Sequence, residues 1–175
     1  MTTLQNPAGL RALGATPDEA RARLTKEFDR LEAHLRARQA DWTRTQPGRD
    51  WSPAQEAEHV VLIDMGIARL LGLLLSEREL TPSAQVPGTL RDGKRQTPPF
   101  AAPSADGLAW DTWETRWAEH RAAFEQVAAG VRETPGRTMW HPFFGELDAL
   151  DWLRMVSGHA RNHRLLLEQS AAAGA

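Results

Sequence analysis

The chain has 175 residues, of which 41% are hydrophobic and 25% charged, and its formal net charge is −2 at pH 7. These values predict one globular domain with a sizeable core, and the lack of a basic excess argues against nucleic acid or an anionic membrane surface as the main partner. Cysteine is absent, which excludes disulfides, thiolate metal clusters and a cysteine nucleophile in this sequence, so thiol chemistry would need a sulfur from a cosubstrate.

Helices are favoured throughout, because alanine and leucine are abundant while valine and isoleucine are rare. The first helix begins at Thr16, whose side chain can cap it, with Glu19 at the capping-box position. Its apolar residues recur at helical spacing. They are Leu24, Phe28, Leu31, Leu35 and Trp42. A second helix begins at Ser52 with the same pattern and is apolar on most faces from Ala57 to Leu75, which is typical of the most buried helix of a bundle.

A long crossover loop is predicted after the second helix. Residues 79–107 are rich in proline and show neither helical nor strand periodicity, and loops of this length in compact domains are often functional. A third helix with a tryptophan-rich face ends near Gly130. The fourth begins at Asp148 as N-cap, with Asp151 three residues later, and runs to about Gln169. The predicted fold class is therefore all-α, a four-helix bundle with a long crossover loop between helices 2 and 3.

The domain boundaries follow from these elements. Residues 16–170 form a single bundle domain in this interpretation, and residues 1–15 and the alanine-rich tail 171–175 are expected to be flexible. No basic start followed by an apolar run is found in the first twenty residues, and the longest apolar run, Leu70–Leu75, is too short to cross a bilayer. A cytoplasmic location is therefore expected.

Two histidines lie four residues apart in the apolar stripe of the fourth helix. At this spacing His159 and His163 share a face, about 6 Å apart along the axis, and can bind one metal ion. An unpartnered imidazole in such a stripe costs about 1–3 kcal/mol, which a shared ion would avoid. Alternatively, each ring is a core histidine bonded to a carboxylate or carbonyl. His59, among apolar residues of the second helix, is the candidate third ligand, with a surface histidine beside Glu58 as the alternative.

Four further residues are candidates for roles around such a site. Glu56 lies three residues before His59 on nearly the same face and is a weak candidate for accepting a proton from water, although an acidic residue there also favours the helix dipole. His141, Trp140 and Phe143 precede the fourth helix and are candidates for contacts with substrate or with the metal ligands. A purely structural turn is the alternative for His141.

Two buried polar residues need partners. Asp64 interrupts the apolar stripe of the second helix, and an ion pair with Arg154 is the favoured interpretation. His120 lies near the aromatic face of the third helix and is a less favoured fourth metal ligand, because an open site needs only three.

Three motifs contain the candidate ligands and the residues around them. They are W-S-P-A-Q-E-A-E-H at Trp51 to His59, H-P-F-F-G-E-L at His141 to Leu147 and W-L-R-M-V-S-G-H-A-R-N-H at Trp152 to His163. Together these motifs resemble the DinB/YfiT-like family of metal-binding four-helix bundles. The resemblance covers about residues 17–170. The sequence departs from it at Gln55, where relatives often carry glutamate, and this change retains the capping role.

The resemblance implies that His59, His159 and His163 bind a divalent ion, usually zinc or nickel, with water in the open position. Three protein ligands are typical of a catalytic rather than a structural site. Three neutral imidazoles also leave the full charge on the ion, which can lower the pKa of bound water to about 7 or stabilise a thiolate.

The resemblance also suggests a reaction class. Similar proteins act as thiol S-transferases with mycothiol, bacillithiol or glutathione, or as thiol-dependent isomerases. It therefore implies a metal-dependent enzyme that activates a low-molecular-weight thiol cosubstrate in detoxification or stress response. A metal-dependent hydrolase and a non-enzymatic metal-binding stress-response module are the alternatives, because one fold carries several chemistries. A homodimer is compatible with the resemblance.

Overall fold

The computed structural model describes residues 4–173 and is built from four α-helices. They are α1 (Pro17–Arg36), α2 (Pro53–Leu75), α3 (Trp110–Ala129) and α4 (Ala149–Ala173). Short 3-10 helices lie at Pro7–Leu13, Gln39–Asp41 and Pro99–Ala101. The main helix contacts are those of α1 with α4 and of α2 with α3 and α4. The predicted four-helix bundle is confirmed.

The helix starts are fixed by local hydrogen bonds. Thr16 Oγ1 accepts the backbone N–H of Glu19 at 3.2 Å, and Asp148 Oδ1 accepts that of Asp151 at 2.9 Å. Ser52 and the glutamine three residues later form a reciprocal capping box. Each cap satisfies N–H groups that the helix itself leaves free. The three predicted helix starts are therefore confirmed.

The core differs from the predicted apolar stripes at two helix ends. The four apolar residues predicted within α1 are buried, but the helix ends at Arg36. Trp42 is buried beyond the end of α1, after a 3-10 turn, and does not continue the helical stripe. In α4 the helical spacing of His159 and His163 predicts Leu166 as the next residue of the apolar stripe, but Leu167 is buried there and Leu166 is only half-buried.

Both chain ends contain more helix than the sequence indicates. Within the segment 1–15 that was predicted to be flexible, Pro7–Leu13 form a 3-10 helix that packs on α4 and buries Leu10. Burial of this leucine explains the difference, since a short 3-10 helix has little stability of its own. The helix α4 continues to Ala173, into the predicted tail 171–175. Residues 1–3, 174 and 175 of the predicted flexible ends lie outside the described residues.

Two small hairpins accompany the helices. The strands are β1 (Leu90–Arg91), β2 (Lys94–Arg95), β3 (Met139–His141) and β4 (Gly145–Leu147). The first pair lies in the crossover loop, and the second contains the H-P-F-F-G segment; both pairs are antiparallel. Strands of two or three residues carry too little alternation to be predicted from sequence. Among residues 4–173, no helix combines the length and apolarity needed to cross a membrane.

Candidate metal centre

Three imidazoles converge between α2 and α4. His59 Nε2 lies 3.2 Å from His159 Nε2, which lies 3.0 Å from His163 Nε2. Tetrahedral zinc with Zn–N bonds of about 2.0–2.1 Å separates its nitrogen ligands by roughly 3.3 Å. The three rings therefore form a group that could hold one metal ion, and the structure brings together the three histidines that the sequence singled out.

In two of the rings, a hydrogen bond at Nδ1 fixes the direction of the lone pair on Nε2. His59 Nδ1 lies 2.8 Å from the carbonyl oxygen of Ala101, and His163 Nδ1 lies 2.5 Å from Glu56 Oε2. A carbonyl and an ionised carboxylate can only accept, so both Nδ1 atoms carry the proton. Their Nε2 lone pairs then point towards the common centre, which is how metal-binding histidines are usually oriented.

The electrostatics of the rings fit a divalent cation. Burial and the neighbouring histidine charge lower the pKa of His59 and of His159 from their ordinary value. Both rings are therefore neutral near pH 7, which is the form that binds metal. Ring nitrogens that lie 3.0–3.2 Å apart need either a proton or a cation between them, and a set of three imidazole donors fits a divalent ion.

The carboxylate of Glu56 is bound by two side chains and orients His163. Its side chain is buried, with Oε2 accepting from His163 and Oε1 paired with Arg49. Burial opposes its ionisation, but the hydrogen bond and charge of His163, together with Arg49, outweigh this and lower the pKa of Glu56. Both oxygens of the ionised carboxylate are thus engaged. The sequence made Glu56 a weak candidate for accepting a proton from water, and these contacts place it behind His163.

The crossover loop reaches the centre because the start of α2 holds it. The amide of Gln55 donates to the carbonyls of Ser104 (3.2 Å) and Ala105 (2.9 Å), and Glu58 accepts the N–H of Ser104 at 3.0 Å. These contacts hold the segment that presents the Ala101 carbonyl to His59. A glutamate at position 55 has no side-chain N–H group and could not donate these two hydrogen bonds. This gives the departure from the family motif a structural reason.

The three candidate contact residues of the H-P-F-F-G region lie on the second hairpin. His141 Nδ1 accepts the backbone N–H groups of Phe143 (3.1 Å) and Phe144 (3.2 Å). Trp140 Nε1 donates to the carbonyl of Val86 at 3.0 Å. The ring of Phe143 packs directly on Gly88, where no side chain would fit. Trp140 and Phe143 join the hairpin to the crossover loop, whereas His141 bonds within the hairpin. None of the three belongs to the converging group.

The stability of the metal-free protein is expected to fall in acid because of His141. Burial, followed by the charges of Arg95 and His159, lowers the pKa of His141 from 6.5 to about 4. Between these values the unfolded chain binds the proton and the folded one does not, so stability decreases as the pH falls from about 6.5 to 4. The expected loss is about 3 kcal/mol of unfolding free energy.

Urea unfolding of the metal-free protein at pH 7 and pH 4 measures this loss. The comparison variant is His141→Asn, because the asparagine oxygen can accept the same two backbone N–H groups as Nδ1 without titrating. We expect the variant to lose about 3 kcal/mol less than wild type over this range. Equal losses in both proteins would show that His141 is not the titrating group.

Sequence reasoning assigned the wrong partner to one buried carboxylate. Asp64 Oδ2 accepts from His120 Nε2 at 2.8 Å, and both side chains are fully buried. Arg154 instead pairs with Asp151 at 2.7 Å and donates to a backbone carbonyl before α1. The predicted pair of Asp64 with Arg154 is therefore wrong, because that face of α2 packs against α3. His120 is bound to Asp64 and is not part of the converging group.

Two contributors to the site were missed. The Ala101 carbonyl gives no sequence signal, because any residue has a backbone carbonyl. Trp51 packs against His59, with ring centroids 5.0 Å apart, and it lies within the first family motif without having been given a role. Its aromatic face borders the centre and offers a surface for the organic part of a ligand.

Comparison with known proteins agrees with this architecture. The chain is similar to the solved structure of TT2238, described as a four-helix bundle protein, at 29% identity and a TM-score of 0.62, covering 89% of this chain and 100% of that one. No curated protein matches the chain. The family model described as the DinB superfamily matches residues 18–167. With most of the sequence covered by that model, the chain belongs to the DinB superfamily.

Proposed function

We propose that the protein is a divalent-metal-dependent enzyme of the cytoplasm, with zinc or nickel at His59, His159 and His163. We further propose that it activates a low-molecular-weight thiol for transfer to an electrophile, in detoxification or stress response. Support for the metal comes from the three imidazole rings whose nitrogens converge on one centre. The observation that carries the choice of a thiol is the engagement of both oxygens of Glu56.

The state of the carboxylates near the centre favours a thiol over water as the nucleophile. Free water has a pKa of about 15.7 and a free thiol has a pKa of about 8.5. Water therefore depends far more than a thiol on a base that removes its proton. Glu56 is held by His163 and Arg49, and Asp64 is fully buried and bonded to His120. A divalent ion bound by the imidazoles would favour the thiolate form of a thiol without a protein base. A hydrolase would need a free base beside the ion. Both oxygens of Glu56 are engaged, and the unpartnered Oδ1 of Asp64 faces Nδ1 of His159, on the far side of that ring from the centre.

The charges around the centre also fit a singly charged anion. Glu56 and Asp64 place two buried negative charges beside the rings, and Arg49 adds one positive charge. With a divalent ion present, one positive charge would remain uncompensated. A thiolate would neutralise it, and buried charges are stable only when they are compensated. Trp51, against His59, would contact the carbon skeleton of the ligand.

Consumption of chlorodinitrobenzene with mycothiol, bacillithiol or glutathione tests this proposal. In the expected reaction a sulfur–carbon bond forms, chloride leaves with the bonding electron pair, and the thiol proton passes to solvent. We expect the zinc- or nickel-loaded protein to accelerate the reaction with at least one thiol more than tenfold over a protein-free control. A ligand substitution should remove most of this acceleration, since it acts through the ion.

Two variants make the assay decisive. His163→Ala should lose the acceleration, whereas His34→Ala, which changes a half-buried histidine of α1, should retain it. Absence of turnover with all three thiols would refute the thiol proposal. Metal-dependent cleavage of an ester or amide panel, lost in His163→Ala, would instead establish the hydrolase.

A further inference from the structure

A row of polar side chains from three helices leads through the core to the candidate centre. On α3, His120 Nε2 donates to Asp64 Oδ2 of α2 at 2.8 Å. The other oxygen of the carboxylate, Oδ1, lies 3.8 Å from Nδ1 of His159 on α4. Asp64 and His120 are both fully buried. The carboxylate therefore stands between an imidazole of α3 and one of the three converging histidines.

Three atoms of these side chains are buried without a hydrogen-bond partner in the described part of the protein. They are His120 Nδ1, Asp64 Oδ1 and His159 Nδ1, and the last two of these face each other. A buried polar atom without a partner costs about 1–3 kcal/mol. Of the facing pair, one is an acceptor and the other can donate, so moving them about 1 Å closer would form a hydrogen bond of ordinary length.

The missing hydrogen bond at Nδ1 distinguishes His159 from His59 and His163. His59 and His163 already donate from Nδ1, to Ala101 and Glu56 at 2.8 and 2.5 Å. The corresponding bond of His159 is unformed at 3.8 Å. An acceptor behind each ring holds the proton on Nδ1 and the lone pair on Nε2, which metal ligation requires. The carboxylate of Asp64 is in the position to be the acceptor for Nδ1 of His159.

We propose that Asp64 is a positioning residue that orients His159 towards the metal ion, and that His120 holds Asp64 in place from α3. The inference rests on the metal centre proposed above and goes beyond it, because it ties metal affinity to a residue on a helix that supplies no ligand. When His159 Nε2 ligates an ion, Nδ1 becomes the better donor, and the 3.8 Å gap to Asp64 is expected to close.

The surroundings of His120 explain how it can hold the carboxylate. Its ring is packed among Phe28, Trp117 and Phe124, with centroids 5.0, 4.8 and 6.3 Å away. Side chains packed in a dense core are held in low-energy rotamers. The N–H of His120 therefore stays aimed at Asp64 Oδ2, which leaves Oδ1 directed at His159.

The decisive variant is Asp64→Asn, measured by competition with a metal chelator. The asparagine oxygen can still accept from His120, so the metal-free fold should be retained. Its amide group would then face His159 Nδ1 with a donor instead of an acceptor. We expect metal affinity to fall about 10- to 100-fold, the usual effect of losing such an outer partner, while the melting temperature of the metal-free protein changes little.

Glu27→Gln is the matched control. Glu27 is another fully buried carboxylate, but its charged partners are Arg23 and Arg164. This control should lower stability without changing metal affinity. Equal affinity of Asp64→Asn and wild type would overturn the inference, and so would an equal loss of affinity in Glu27→Gln, since affinity would then merely follow stability. A wild-type protein that binds no metal would refute the centre itself.

His120→Phe gives an independent test if Asp64→Asn does not fold. Phenylalanine keeps the aromatic packing but removes the N–H that holds Asp64. For His120→Phe alone we expect a smaller loss of affinity, about three- to tenfold. Where Asp64→Asn does fold, we expect no further loss when the two changes are combined, because coupled residues are not additive. Unchanged affinity in His120→Phe would overturn the role of His120, and additive losses would show that the two residues act separately.

Discussion

Replacing His159 by alanine is expected to abolish stoichiometric metal binding. His159 lies between the other two rings, 3.2 Å from His59 Nε2 and 3.0 Å from His163 Nε2. Binding free energies of about 10–16 kcal/mol shared over four zinc ligands correspond to roughly 2.5–4 kcal/mol for each, so the loss of one ligand weakens binding by about two to three orders of magnitude. Elemental analysis after dialysis should find near one equivalent of zinc or nickel in untagged wild type and under about a tenth of that in His159→Ala.

His59→Ala and His34→Ala complete the comparison. His59 comes from α2 and should behave like His159, because the centre needs a ligand from each helix. His34 lies on α1, where its Nε2 is 3.4 Å from a nitrogen of Arg38, and its loss should leave the metal content unchanged. Metal retained in full by both His59→Ala and His159→Ala would place the ion elsewhere. No metal in wild type, even after ions are added back, would make these residues core histidines.

The helix framework was predictable because its signals are local. Thr16, Ser52 and Asp148 bond to N–H groups three residues away, and this separation can be read directly from the sequence. Gly130 likewise ends α3 at the position that the sequence indicates. Interactions over three or four residues depend only on helix geometry, which is the same in every protein.

The histidine centre was predictable in two unequal steps. Helix geometry alone places His159 and His163 on one face, since they are four residues apart. His59 is 100 residues from His159, and no local rule joins them. Its position among apolar residues of the second helix made it the candidate third ligand, the family resemblance implied the same residue, and the structure supplies the distance of 3.2 Å to His159. Packing of α2 against α4 is what turns a pair of histidines into a group of three.

The partner of Asp64 could not be chosen from sequence. The sequence shows that a buried carboxylate in α2 needs a partner, but both Arg154 and His120 satisfy that need. The choice depends on which helix the Asp64 face meets, and that face meets α3 as well as α4. Asp64 comes five residues after His59, which turns the two side chains roughly 140° apart around the axis of α2. It nevertheless lies 3.8 Å from His159, because α4 brings this ligand from the opposite side.

Removing the metal with a chelator is expected to lower the melting temperature by roughly 8–16 °C. A ligand present at about 1,000 times its dissociation constant stabilises the folded state by about 4 kcal/mol. For a chain of this size, each kcal/mol corresponds to about 2–4 °C. The ion would join His59 of α2 to His159 and His163 of α4, so its loss removes a link between two helices. Thermal unfolding followed by circular dichroism, with and without chelator, measures the shift.

His159→Ala is the control for this experiment, since a variant without bound metal should melt at the same temperature with and without chelator. An unchanged melting temperature in wild type would mean that the ion, if bound, does not stabilise the fold.

The metal-free protein should nevertheless remain folded at room temperature, because its core does not depend on the centre. The largest fully buried side chains, among them Phe28, Trp113 and Leu71, are apolar and extend along the whole bundle. A small zinc finger, by contrast, has no comparable core and unfolds without its ion. Unchanged far-ultraviolet dichroism after chelation at 25 °C would therefore agree with an ion that serves chemistry. Complete unfolding under those conditions would contradict the open catalytic site and favour a metal that acts as a structural link.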